Sequence, residues 1–463
     1  MQARLTFLWR RHRNVQLRNT PSFHVDAARP VSLVSIRRDT SETEELVRAL
    51  GNPIVGRVVQ LRSRPEPGTF VGSGKLKELR DELARGTPLT SGGKPLVVVD
   101  AALKPPQLFG IEDIVGAEVW DRIRVILEIF QQKAQVKEAR LQVELARLRY
   151  ELPFVHEALH RTLTGEHPGF MGGGELPMRA YETHLKSRTK KIQDDLVNVR
   201  KERAQRRAGR RKSGFQLVAI AGYTNSGKSS LLNALCGSAV RVEDVYFSTL
   251  ETTTRRLRSE LLAGRTSRLL FTDTVGLIRD LPPWLIDAFG STLEEIVASD
   301  VVLLAVDASE DAGTVGVKLA TAWALLDQLH APKLRLILFN KADLLTEGGR
   351  HDLLTTLSLS SYYPTTRFLF TSTKTKEGLE ESVRVLLDET RITHRLRIHL
   401  DATTPGHLAF ESWLRDHSDI DRVVEDGTDH EVLVRCSPEQ YVQIRRQGKQ
   451  ARARVEELPS TGN

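Results

Sequence analysis

Apolar and polar positions divide the chain into stretches of different period. Residues 28–118 read as a small α/β unit. VGRVVQL (55–61) and KPLVVVD (94–100) have the β-branched density of strands, and KLKELRDELA (75–84) between them has helical spacing. The pattern then changes. Over 121–152, apolar residues fall at Ile123, Ile126, Phe130, Ala134, Leu141, Leu145, Leu148 and Leu152, which is helical spacing with a near-heptad tail that Pro153 should end. A second stripe, Met178, Tyr181, Leu185, Ile192, Leu196 and Val199, predicts a second long helix starting near Met178. Two amphipathic helices joined by a loop predict an antiparallel hairpin over 119–212, each helix covering the other's stripe. Residues 213–392 carry several short, wholly apolar runs that read as buried strands. From about 393 to 463 the order is β-α-β-β-α, a small α+β module whose last residues, EELPSTGN, read as a frayed end.

The buried runs of 213–392 end in chemistry. LVAIAGYTNSGKSSLLNAL places Gly222-x-x-x-x-Gly227-Lys228-Ser229 between an apolar strand and a helix, the context of a phosphate loop. Its residues Gly222, Tyr223, Thr224, Asn225, Ser226 and Gly227 bring backbone N–H groups to phosphate oxygens. Lys228 reaches the β- and γ-phosphates, and the Ser229 hydroxyl ligates Mg²⁺. RLLFTDTVGL follows, with Asp273 placed to act near the magnesium and the Gly276 N–H to sense the γ-phosphate, Thr274 and Val275 lying between them. LRLILFN then runs into Asn340-Lys341-Ala342-Asp343. A carboxylate at Asp343 accepts two hydrogen bonds from guanine N1–H and its exocyclic amine, a donor pair that adenine lacks. Lys341 packs along the base, and Ser372-Thr373-Lys374 offers a backbone N–H to the guanine O6. A Mg²⁺-dependent guanine-nucleotide site with GTP as substrate is therefore expected. Between the first two motifs, FSTLETTTR (247–255) holds several threonines that compete for the role of a second Mg²⁺ ligand. No glutamine follows Gly276. Leu277 stands there and cannot orient a water, so the catalytic residue is unassigned and slow hydrolysis awaiting a partner is expected.

Composition adds bounds. The net charge is +8 over 463 residues, so the distribution of charge matters more than its total. The densest run is VRKERAQRRAGRRK (199–212), with one acidic residue. Arg203, Arg206, Arg207, Arg210 and Arg211 are candidates for nucleic-acid backbone contact, against the alternative of a solvated helix face. Two cysteines without a CxxC or a Cys/His cluster argue against a disulfide framework and a structural zinc, and fit a reducing compartment. No apolar run is long enough to span a bilayer. Residues 1–27 are basic and include an acid-free run of 25. They read as a tail, with the chain cytoplasmic, or as a transit peptide to the mitochondrial matrix. Gly72-Ser73-Gly74 reads as a tight βα turn or as an anion-holding helix start. The Gly-rich GFMGGGELP (169–177) reads as a functional hairpin tip or as a linker.

These motifs resemble the HflX family of ribosome-associated GTPases. GYTNSGKSSLLNAL is similar to the family's GYTNAGKSTLxNxL, FSTLETTTR to its FATLDPTTR, and DTVGLI to its DTVGFI. Upstream, FVGSGKLKEL resembles YIGxGKxxEL, and residues 119–153 resemble the family's VxDRxxLILDIF and LQVELAxLxYxLP motifs. Two departures stand out: GFMGGGELPMRAYE lacks the RGPG core of the family's hairpin loop, and Glu251-Thr252 replaces Asp-Pro. The resemblance implies an α/β fold: a P-loop GTPase domain preceded by a small α/β domain with a long helical hairpin and followed by a small α+β domain. It implies binding to the large ribosomal subunit and its RNA by a monomer, with ribosome splitting, rescue or recycling as the function. A GTP-gated RNA-binding assembly scaffold is the alternative. By match to the switch segment it implies Thr249 as the second Mg²⁺ ligand and Phe247, Ser248, Thr249, Leu250 and Glu251 as the nucleotide-contacting stretch.

Overall fold

The computed structural model describes residues 28–85, 95–163, 175–237, 254–258, 261, 267–274, 276–279, 281–288, 290–332, 335–358, 366–389, 394–436 and 438–458. The basic tail, the tip of the Gly-rich loop (164–174), the stretch 247–251 and Val275 lie outside them, as does the side chain of Arg211. The chain divides into two compact units, Met1–Arg122 and Ile123–Asn463.

The first unit is a parallel sheet of β1 (Val31–Ser35), β2 (Ile54–Val59), β3 (Leu96–Val99) and β4 (Glu118–Asp121) in the order β2-β1-β3-β4. Its connections are α1 (Ser41–Ala49), α2 (Ser73–Ala84) and α3 (Pro105–Val115). The central strands β1 and β3 are buried along their whole length, as parallel strands covered on both faces must be. At the carboxyl ends of β1 and β3 the polar groups satisfy one another. Ser35 and Thr43 donate to Asp100, and buried Arg122 pairs with buried Glu42 at 2.9 Å. Gly72 donates its N–H to the Gln60 side chain at 2.7 Å, which is the turn reading of the Gly-Ser-Gly start of α2.

The second unit begins inside α4 (Arg122–Lys133), from Ile123, and continues with α5 (Lys137–Leu163) and the 38-residue α6 (Glu175–Lys212). The expected first helix is thus two, broken at 134–136, where Arg140 donates its Nε to the Ala134 carbonyl. Pro153 does not end α5 but sits inside it. The missing N–H is tolerated because packing continues past it: Phe154 lies 4.9 Å from Tyr150 and Tyr181 donates to Glu151. Leu141 and Leu145 of α5 pack with Ile192 and Leu196 of α6, and Arg188 grips Glu144 through two hydrogen bonds of 2.6 and 2.8 Å. The expected stripes therefore do meet in antiparallel register.

Next comes a six-stranded sheet of β5 (Gln216–Gly222), β6 (Thr254–Arg256), β7 (Leu269–Asp273), β8 (Val301–Asp307), β9 (Arg335–Asn340) and β10 (Arg367–Phe370). Its order is β10-β9-β8-β5-β7-β6, parallel except for β6. Helices α7 (Lys228–Cys236), α8 (Pro283–Ala288), α9 (Gly290–Val297), α10 (Ala312–Gln328), α11 (Glu347–Leu357) and α12 (Leu379–Glu389) cover it. The chain leaves β5 toward neighbours on opposite sides, β7 and β8, so the end of β5 is the topological switch point where an α/β sheet opens a crevice.

The last module is β11 (His394–Asp401), α13 (His407–His417), β12 (Asp419–Asp426), β13 (Asp429–Cys436), α14 (Pro438–Ala451) and β14 (Arg454–Leu458), an antiparallel sheet ordered β12-β13-β11-β14. Glu456, Glu457 and Leu458, expected to fray, form an edge strand instead. β11 would otherwise present an open edge, and Glu457 is held by His394 at 2.7 Å and Tyr441 at 3.0 Å. No helix among the described residues is long and apolar enough to cross a membrane.

Candidate nucleotide site

The phosphate loop is built where β5 hands over to α7. Two glycines make it possible. Gly222 has φ +147° and a Cβ there would lie 2.2 Å from the Ala305 carbonyl oxygen. Gly227 has φ +84°, and its Cβ would lie 2.2 Å from Asn340 Nδ2. The backbone must therefore pass close to two neighbouring strands, and a side chain at either point would push it away. Lys228, buried, donates from Nζ to the Tyr223 carbonyl at 2.6 Å. Burial pushes its ammonium down to about 8 while the Asp273 charge pulls it back up. The Ser229 hydroxyl donates to Asp273 Oδ2 at 2.7 Å, both groups being buried. A hydroxyl and a carboxylate held together are hard oxygen donors of the kind Mg²⁺ takes.

The segments expected to read the base converge on the same loop. Asn340 Nδ2 donates to the Ser226 carbonyl at 3.0 Å. Lys341, in the left-handed region at φ +61°, pairs with Asp307 at 2.6 Å. The Ser372 hydroxyl donates to Asp343 Oδ1 at 2.6 Å and accepts the Lys374 N–H at 3.2 Å. Arg350 braces this corner through Glu377 and the Ala342 carbonyl. Arg350 and Glu377 are not among the expected site residues; neither stands in a motif, and only packing places them there. Thr274 donates to the Ile220 carbonyl, which ties the end of β7 to β5. Residues 222–229, Asp273, Thr274, Gly276, 340–343 and 372–374 thus belong to segments that meet around the end of β5.

Leu277 has a definite place. Its N–H donates to the Gly222 carbonyl at 2.9 Å and its carbonyl accepts the Thr224 N–H at 3.2 Å. Its side chain is 3% exposed and packs in a core with Tyr223, Ile286, Leu293 and Ile296. The loop after Asp273 is therefore knitted to the phosphate loop by backbone bonds, with its apolar side chain turned into the protein.

The arginine run is sorted by the helix. Arg203 reaches Glu138 of α5 at 2.7 Å and Glu295 of α9 at 4.0 Å. Arg207 reaches Glu295 at 3.3 Å and Glu294 at 3.7 Å, and Arg210 reaches Glu295 at 3.8 Å. Arg206 is exposed. Three of the five arginines expected to face a nucleic acid are engaged within the chain. The signal lay in the spacing: Ile192, Leu196, Arg203, Arg207 and Arg210 follow one helical stripe, so the arginines continue the face that buries leucines.

Comparison with known proteins covers most of the chain. The family described as GTP-binding GTPase N-terminal matches residues 37–131, GTP-binding GTPase Middle Region matches 133–210, and 50S ribosome-binding GTPase matches 217–341. The GTPase HflX of Thermococcus kodakarensis is 43% identical over 318 residues, 68% of this chain and 69% of that protein. That of Methanocaldococcus jannaschii is 33% identical over 400 residues, 86% and 93% of the two chains. That of Lacrimispora saccharolytica is 37% identical over 349 residues, 74% and 77%. A crystal structure of a GTP-binding protein from Sulfolobus solfataricus in complex with GDP aligns over 78% of this chain and 98% of that one, at 24% identity and a TM-score of 0.42.

Proposed function

This chain belongs to the HflX family of GTPases, and from that premise we propose that it binds the large ribosomal subunit and couples GTP hydrolysis to splitting, rescue or recycling of ribosomes. The observation that supports the coupling most is the seat of the hairpin. Arg149 of α5 donates to the Trp284 carbonyl of α8 at 3.4 Å, and α6 holds the two glutamates of α9. Both α8 and α9 follow the loop after Asp273, so a ribosome that moves the hairpin acts on the segment next to the nucleotide.

In this reading the glycines and N–H groups of 222–229 cradle the phosphates, and Lys228 supplies a point charge at the β- and γ-phosphates. Ser229, with Thr249 from the switch segment, holds Mg²⁺, and Asp273 orients the Ser229 hydroxyl. When bound, the ion neutralises charge that develops on the transferred phosphoryl group. Asp343, held by Ser372, reads the guanine edge. The outward residues of α6, Arg206 and Lys201 among them, are left to meet RNA phosphates.

The test is a sucrose gradient. Intact ribosomes incubated with the protein and GTP or a non-hydrolysable analogue should separate into subunits, with the protein on the large one, whereas GDP should leave them whole. Binding confined to immature or free subunits, with intact ribosomes unaffected, would replace splitting with the assembly-scaffold reading.

A further inference from the structure

The last helix, α14, opens a second run of cations, and the structure sorts it the opposite way from the run of α6. Over QIRRQGKQARAR (443–454) stand Arg445, Arg446, Lys449, Arg452 and Arg454, with no acidic residue between them. The helix spends one face on its module's core. Gln440, Ile444 and Gly448 are buried at a spacing of four, and a Cβ at Gly448 would lie 2.8 Å from Val455 Cγ2 of β14, so the helix sits close on the sheet. Val442, Arg446 and Lys449 fall on the opposite line, where all three are exposed, and exposed Arg445 flanks them. Arg452 follows the helix at φ +59°, a position that usually takes glycine, and it too is exposed. Arg454 pairs with Glu456 at 2.6 Å. Arg446, Lys449 and Arg452 make no ion pair among the described residues, whereas Arg203, Arg207 and Arg210 of α6 are all engaged. The helix macrodipole accounts for cations at the last turn, but not for Arg445 and Arg446 a turn earlier.

We infer that the ridge Arg445–Arg446–Lys449–Arg452 is a docking surface for the phosphate backbone of RNA, carried by the C-terminal module. The inference rests on the ribosome reading above for the source of that RNA. The ridge runs for about 10 Å along the helix axis. Three of its four cations are arginines, whose planar forks match phosphate oxygens two at a time. An acidic protein surface fits less well, because a stable protein interface needs a buried aromatic or aliphatic anchor, and Val442 is the one exposed large hydrophobic side chain among the described residues of α14. Bases find no platform either. The Tyr441 ring is stacked on His394 at 4.4 Å and lies under Arg445 at 5.3 Å, and its hydroxyl donates to Glu457. Recognition by the ridge is therefore of charge spacing along a backbone, indifferent to sequence and sensitive to salt.

The experiment titrates the purified full chain against a fluorescent RNA hairpin, and against one of scrambled sequence, over a range of salt. The triple exchange Arg446→Gln, Lys449→Gln and Arg452→Gln should weaken binding about tenfold or more at low salt and flatten the plot of log Kd against log salt by about 2 to 3. Both RNAs should respond alike, and GTP turnover without RNA should stay at the wild-type value, which shows that the nucleotide domain is intact. A triple variant with the wild-type slope overturns the inference. So does poly-glutamate that binds the wild type more tightly than RNA of equal charge and loses that affinity in the variant, since the ridge would then take an acidic protein. Should the triple variant fail to fold, Arg446→Gln and Arg452→Gln singly should each flatten the slope by about 1, and their slopes decide in the same sense. Pelleting with large ribosomal subunits separates the two readings. A wild type that pellets, beside a triple variant of unchanged slope, sinks the ridge alone. A wild type that does not pellet, while the RNA slopes still differ, sinks the ribosome as the source of the RNA and leaves the ridge.

Discussion

The phosphate loop and the arginine run are both dense in local signal, yet the order of residues says where each side chain of the loop goes and does not say so for the run. At the loop, each residue type is fixed by a steric or hydrogen-bonding demand at its own position. A glycine is needed where a Cβ would meet Asn340 or Ala305, a lysine where its Nζ must fold back to the Tyr223 carbonyl, and a hydroxyl beside Asp273. In the run, the side chains share a chemistry but not a destination. Their partners, Glu138, Glu294 and Glu295, come from distant positions, and the helix alone decides which arginines turn toward them. Spacing carries meaning where the chain must fit a ligand, and charge density carries little until the facing element is known.

Three measurements sharpen that contrast. The largest effect is expected at Asp343. Asp343→Asn should weaken GTP binding by about 10³-fold and favour xanthosine nucleotides, because the amide keeps one acceptor oxygen but sets an N–H donor against guanine's exocyclic amine, where xanthine offers an acceptor. Titration of both nucleotides by fluorescence competition measures it, and unchanged GTP selectivity would refute the base-reading role. Next is the arginine run of α6. Arg207→Gln should cost about 3 kcal/mol of unfolding free energy, the usual consequence of taking one partner from a buried pair, whereas Arg206→Gln on the exposed side should stay within about 0.5 kcal/mol. Equal losses in urea unfolding would mean that the two faces are not distinct.

The smallest effect concerns Asp419, at the start of β12. Burial raises its carboxyl to about 6 from 3.8, against the pull of Arg435 and Arg268. A group raised in the folded state contributes stability below its unfolded value and loses it as pH rises through the folded one. Stability should therefore fall by about 2 kcal/mol between pH 4 and 6 on account of this residue, then level off. Asp419→Asn should flatten that part of the profile, and an unaltered slope would remove Asp419 as its source.

The parts of the fold that were legible are those with short-range causes. β5, β7, β8 and β9 are apolar runs ending at a motif, and the two stripes of the hairpin meet as their spacing requires. What was not legible depends on contacts from far along the chain. Pro153 passes for a helix end until Tyr181 is seen holding Glu151 beside it. Glu456, Glu457 and Leu458 pass for a loose end until β11 is seen to need an edge partner. Leu277 announces a missing glutamine, but only packing against Leu293 and Ile296 says where the leucine goes. At the site, the meeting of the motif segments was legible and the brace Arg350–Glu377 was not, since it is an ion pair between segments 27 positions apart.

The bond from Asn340 to the Ser226 carbonyl has a further consequence. It ties the strand end that precedes Asp343 to the phosphate loop, and the bare Cα of Gly227 is what lets the two approach so closely. In the proposed binding mode, base and phosphates are then gauged by one solid piece, like the two jaws of a fixed caliper. A nucleotide with the wrong base cannot shift to improve its fit at one end without losing it at the other, so discrimination against it is set by distance as well as by hydrogen bonding.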